Sequence, residues 1–198
     1  MRSLYLPPWR IDIDRRPAAP RLLPDASLAR AVSAALAAAG APSPASVGVR
    51  LTDDRDLAAL NAEHVGESGP TDVLSFPILS PEAFPPHPGR TPSPRPAAFP
   101  LPPGARQPLG DIVVSVERAI AQAAEGRGGQ TGDVRWSAAD ELRLLVTHGV
   151  LHLCGWDHAS PAEESAMRAL ERQLLAEPAS SPLTRPATGK RPFGRDER

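Results

Sequence analysis

The stretch Thr147-His148-Gly149-Val150-Leu151-His152-Leu153-Cys154-Gly155-Trp156-Asp157-His158 sets three of the chain's five histidines at H-x3-H-x5-H spacing. Residues four apart on an α-helix stand about 40° apart around the axis and roughly 6 Å along it, so His148 and His152 project from one face and can share a ligand. Gly155 supplies the positive-φ position at which helices commonly end. Beyond it the chain can turn back and present His158 from a third direction. Three imidazoles so placed suit one divalent metal ion and leave a position for water or substrate, the pattern of catalytic rather than structural zinc sites. Cys154 lies two residues past His152, about 200° round the helix, and points away. It reads as a small buried hydrophobe.

In zinc peptidases the corresponding helix reads His-Glu-x-x-His, and the Glu takes a proton from metal-bound water. Here that position is Gly149, which keeps the metal chemistry and argues against a peptidase. The nearest acid is Asp157, as a proton-transfer group or as a partner that orients a ligand imidazole.

Working outward, Leu142, Leu145, Val146 and Val150 can pack this helix into a core. Ser137 and Asp140 resemble a capping box, so the helix should run from about 137 to about 154. Residues 9–14 and 47–51 alternate apolar and polar and read as strands. Residues 73–76 and 111–115 are also strand-like. Residues 28–39 read as a helix, with Asp25 and Ser27 as possible caps and Gly40 as a stop. Thr52 or Asp53 can cap a helix carrying Leu57 and Leu60, and residues 116–125 return to helical composition. Ser160, Pro161 and Glu163 open a last helix reaching about 176. This order of elements predicts an α+β fold: a small mixed sheet packed with helices, the metal-bearing helix central.

The 198 residues suit one domain, spanning about 1–176. The 25 prolines crowd unevenly, and a Pro-rich insertion at about 79–108 is expected to be extended, mobile and neither regular helix nor inner strand. Residues 177–198 are expected to form a disordered tail. A single cysteine excludes an intrachain disulfide and fits a reducing cytosol. No stretch has the roughly 20 apolar residues needed to span a bilayer, so no membrane partner and a cytoplasmic location are expected. A net charge of −1 leaves no global basic field. Local basic patches are available in Arg2, Arg10, Arg15, Arg16 and Arg21, and in Arg185, Lys190, Arg191, Arg195 and Arg198.

The stretch from His148 to His158 resembles the H-G-x-L-H-L-x-G-(aromatic)-D-H signature of the YbeY family, bacterial rRNA maturation factors regarded as metal-dependent endoribonucleases. Pro70-Thr71-Asp72-Val73-Leu74-Ser75-Phe76-Pro77 and Leu109-Gly110-Asp111-Ile112-Val113-Val114-Ser115 resemble two further family blocks, in the right order after Leu60-Asn61. The resemblance implies a divalent ion, with zinc expected, on His148, His152 and His158. It also implies single-stranded RNA as substrate, 16S rRNA 3′-end maturation and ribosome quality control as the setting, and ribosomal particles as partners. Thr71, Asp72, Ser75 and Asp111 would line the cleft. The family carries a Tyr-Arg-Gly step before the P-T-D block, and its arginine is taken to contact RNA phosphate. Val65 stands at that position here, and a valine makes no bidentate contact with phosphate. The rival readings are a non-catalytic, metal-stabilised ribosome-assembly factor and, against Gly149, a metallopeptidase.

Overall fold

The structure is a computed structural model that describes residues 1–64, 66, 71–90, 94, 101–126 and 136–176. Five strands, β1 (Arg2–Leu6), β2 (Trp9–Arg15), β3 (Ala45–Thr52), β4 (Val73–Pro77) and β5 (Gln107–Ser115), form one sheet in the order β1-β2-β3-β5-β4. β2, β3 and β5 run parallel, and β1 and β4 close the edges antiparallel. The helices are α1 (Asp25–Ala38), α2 (Asp54–His64), α3 (Val116–Ala124), α4 (Ala138–Leu153) and α5 (Pro161–Ala176). The fold is α+β with a mixed sheet.

Alternation along the strands divides the two faces of the sheet. Trp9, Ile11 and Ile13 of β2 and Val47, Val49 and Leu51 of β3 are buried, while Asp12, Asp14 and Arg50 emerge on the other side, where they line a cavity of about 450 Å³. On the buried side α4 packs against β4, β5, α1, α3 and α5. Its Leu142, Leu145, Val146 and Val150 belong to the core, as their helical spacing predicts. Burial of four such side chains fixes the helix, and with it whatever projects from its C-terminal turn.

Several helix ends lie where local chemistry puts them. Ser137 and Asp140 form a reciprocal capping box on α4, and Ser160 and Glu163 do the same before α5. Asp53 caps α2 by accepting from the Asp56 amide. For α1 the expectation differs: Pro24 is the N-cap and Asp25 already lies in the helix. Buried Asp25 instead gathers Arg2, Arg15 and Arg21. Arg10 pairs with Asp12 and Arg16 with Asp53 and Asp56. The N-terminal arginines are therefore engaged by the chain's own acids, and Arg2 belongs to a strand that the sequence reading left unassigned. Arg185, Lys190, Arg191, Arg195 and Arg198 lie outside the described residues, as do the expected tail and Val65.

The Pro-rich stretch departs most from expectation. Its last residues, Gln107 and Pro108, begin β5 and pair with β3. The register shifts there, Ser46 facing Pro108 and Val47 facing Gly110, so Leu109 is the extra residue of a bulge. Bulged backbone is where a strand tolerates a proline. Residues 81–83 form a 3-10 turn. Phe84 enters the core at 3% exposure, and His87 is 8% exposed. Residues 79–90 are thus packed structure lying over the end of α4.

Candidate metal centre

His148 and His152 lie one turn apart on α4, and the turn through Gly155 (φ 78°) returns His158 to them. One ligating atom from each lies within 4.8 Å of the others. The ring centroids are 4.5 Å apart for His148 and His152, 5.7 Å for His148 and His158, and 5.1 Å for His152 and His158. All three line a cleft of about 490 Å³, together with Thr71, Asp72, Ser75 and Trp156. A second hollow of about 170 Å³ opens beside His148 and His158, towards Glu164, Arg168 and Glu171 of α5.

The outer nitrogens of two rings decide what the inner ones can do. His148 Nδ1 donates to Glu171 Oε1 at 2.7 Å, and His152 Nδ1 donates to the Trp156 carbonyl at 2.9 Å. With its proton held on Nδ1, His152 presents a lone pair on Nε2, and His148 Nε2 faces it at 3.0 Å. Two lone pairs at that distance repel unless a proton or cation lies between them. Burial, reinforced by the neighbouring His148 and His158 imidazoles, pushes His152 down to about 4, so it is neutral at physiological pH. Three imidazoles converging on one point, two with fixed tautomers, fit a divalent cation.

Cys154 is buried, and burial alone pushes its thiol up to about 12. It stays a thiol and packs in the core, as its place on the helix predicts. Gly149 faces the sheet: a Cβ built there would lie 2.9 Å from Val73 Cγ2, 3.2 Å from Ile112 Cγ2 and 3.3 Å from Ser75 Oγ. A side chain at the peptidase base position would therefore enter the interface between α4 and the sheet.

The cleft residues divide. Thr71, Asp72 and Ser75 line the histidine cleft. Ser75 Oγ donates to the Gly149 carbonyl at 3.0 Å, tying β4 to α4, and Asp72 accepts from Gln122 at 2.9 Å. Asp111 is not in the cleft. Ile112 faces α4, so its neighbour Asp111 lies on the opposite face of the sheet, beside Gly48 and Arg50. Asp157 lines the cleft mouth, but it is exposed and accepts from the backbone amide of His158. The carboxylate that meets a ligand imidazole is Glu171, which the sequence reading missed. Its signal was a carboxylate on the same stripe of α5 as buried Met167 and Leu174.

Fold and site together define a class: α+β proteins with a mixed sheet, a central helix and a histidine triad at the helix end that could hold a metal ion. A family model described as endoribonuclease YbeY matches residues 23–179. The chain belongs to the YbeY endoribonuclease family. It is 42% identical over 141 residues to "Endoribonuclease YbeY" of Symbiobacterium thermophilum, covering 71% of this chain and 76% of that protein. It is 38% identical over 166 residues to the protein of that name from a Roseiflexus species, covering 83% and 90%. A solution structure of a Thermotoga maritima protein aligns with 91% of this chain and 99% of its own at 22% identity, with a TM-score of 0.49.

Proposed function

We propose that the chain is a metal-dependent endoribonuclease acting on single-stranded RNA, with one divalent ion, zinc, held by His148, His152 and His158. The observation that carries this reading is the convergence of His148, His152 and His158, one ligating atom of each within 4.8 Å of the others, with the outer nitrogens of His148 and His152 already held by Glu171 and the Trp156 carbonyl. Neutral nitrogen donors suit zinc, and three of them leave room for water. When bound, the ion would lower the pKa of a water molecule and polarise a phosphoryl oxygen.

The chain's own residues do the rest. Glu171 holds a proton on His148 Nδ1, and the Trp156 carbonyl holds one on His152 Nδ1, which orients both rings. Thr71 and Ser75 offer hydroxyls along the cleft, and Asp157 at its mouth is positioned to exchange protons with solvent. Arg168, ion-paired with Glu164 but 48% exposed, lines the hollow beside His148 and can exchange that partner for a phosphate. Family membership supports RNA as the substrate class, and with it 16S rRNA 3′-end maturation, ribosome quality control, ribosomal particles as partners and a cytoplasmic setting. Among the described residues no helix is long and apolar enough to cross a membrane.

The test is incubation of the purified protein with single-stranded RNA, duplex RNA and a peptide library, with and without chelator. Cleavage of single-stranded RNA alone, lost on chelation and in His148→Ala, is the expected result. Binding to pre-ribosomal particles without cutting would replace the enzyme with the assembly factor, and peptide cleavage would replace it with a peptidase.

A further inference from the structure

The turn between His152 and His158 is clamped from outside by residues 81–90. His87 stacks on Trp156, ring centroids 4.2 Å apart and planes 12° from parallel; its Nε2 lies 3.1 Å from the Gly155 carbonyl, to which the Nε2–H tautomer donates, and its Nδ1 lies 3.2 Å from the Pro88 carbonyl. The segment closes on itself, Arg90 donating to the Pro81 carbonyl at 2.8 Å and pairing with Glu82 at 3.1 Å. Both its ends touch the site's frame. A Cβ at Gly155 would lie 2.8 Å from Pro81, and one at Gly89 would lie 2.6 Å from the Glu163 amide in the first turn of α5. Phe84 anchors the loop in the core.

We propose that His87 is a positioning residue for the histidine triad, acting through the Gly155–Trp156 peptide; the proposal rests on the metal-centre reading above. The chain of contacts is short. His87 fixes the Trp156 ring and the Gly155 carbonyl. Trp156 offers its own carbonyl to His152 Nδ1, and two residues later the chain delivers His158. Without His87 the turn keeps its backbone bonds to the helix end, Gly155 to His152 and Trp156 to Leu151, and its contact with Pro81, but loses the ring stacked on Trp156 and the partner of the Gly155 carbonyl. The Trp156 carbonyl would then swing, loosening both the tautomer of His152 and the place of His158.

The experiment compares wild type, His87→Ala and His87→Phe in the full chain. Phe keeps the ring and the packed volume but loses the donor, so it stays folded even if Ala does not. Three quantities are read: the zinc dissociation constant by chelator competition, kcat and KM on single-stranded RNA, and tryptophan emission. For Ala, zinc affinity is expected to fall about tenfold, as for partners that orient ligands, with kcat reduced, KM for RNA within about twofold, and emission shifted to the red as Trp156 meets water. Phe is expected to keep the emission and lose affinity about threefold, the worth of one ordinary hydrogen bond. A folded Phe variant with wild-type zinc affinity and kcat overturns the proposal. A wild type that neither binds zinc nor cuts RNA instead overturns the reading on which it rests.

Discussion

Glu171→Gln tests the frame around the metal centre most directly. Glu171 is 3% exposed, and its carboxylate meets His148 Nδ1 at 2.7 Å, a length typical of a charge-assisted hydrogen bond. The bond does two things: it holds the proton on Nδ1, leaving Nε2 free to ligate, and it fixes the orientation of the ring. Loss of such a partner weakens metal binding about 10- to 100-fold, which is about 1.4–2.7 kcal/mol. Gln keeps the shape and one acceptor oxygen but no charge. Charge-assisted bonds are about twice as strong as neutral ones, so Gln should fall near the tenfold end and Glu171→Ala near the hundredfold end. Competition with a chromophoric chelator near neutral pH gives the ratio. Thermal midpoints of the metal-free proteins show whether Ala also damages the fold, since it leaves a half-buried imidazole without its acceptor. Wild-type zinc affinity in both variants would refute the assignment and leave Glu171 as a contact between α4 and α5 alone.

Three further outcomes follow from the geometry. His152 is held down at about 4, whereas an unfolded histidine titrates near 6.5, so the unfolded chain takes up this proton first as pH falls. The metal-free protein should therefore keep this contribution above about pH 6.5 and lose up to about 3 kcal/mol towards pH 4; urea midpoints across that range should fall less in His152→Ala, and equal slopes would count against it. Gly149→Ala gains about 1 kcal/mol of helix propensity but forces a methyl against Val73 and Ile112 at a cost of about 1–3 kcal/mol; calorimetry should show a net loss of up to about 2 kcal/mol, and Gly149→Glu should fail to fold rather than become a peptidase. Arg168→Gln should lower the slope of log RNA affinity against log salt by about 0.7, and an unchanged slope would remove Arg168 from the RNA path.

What the sequence made legible was what depends on near neighbours. The capping boxes at Ser137/Asp140 and Ser160/Glu163 satisfy amides three residues away, so they mark α4 and α5 without any tertiary knowledge. The same locality put His148 and His152 on one face and Cys154 off it. Asp111 was misplaced for a complementary reason. Membership of a sequence block does not say which face of a strand a residue takes, and here the bulge at Leu109 shifts the alternation so that Leu109 and Ile112 both turn inward and Asp111 outward. Glu171 and His87 lie 23 and 68 residues from the groups they hold, and only the packing of α5 and the loop on α4 brings them there.

The Pro-rich segment shows how composition misleads when it is asked about burial. Proline removes amide donors and fixes φ, so the inference that residues 79–108 form neither regular helix nor inner strand was sound physics, and among the described residues it fails at Gln107 and Pro108, which begin β5. It does not follow that such a segment lies loose on the surface. Backbone without ladder bonds can dock through its side chains, provided that a few are large and the loop closes. Phe84 and His87 supply the surface and Arg90 supplies the closure. Proline then favours docking, because a chain already restricted in φ has less entropy to lose when it is fixed. On this argument replacing Pro85 and Pro88 by Ala should loosen the clamp without removing a single contact of His87 with Trp156. Hydrogen exchange at the Gly155 and Trp156 amides would register it, and unchanged protection would mean that side-chain contacts alone hold the loop.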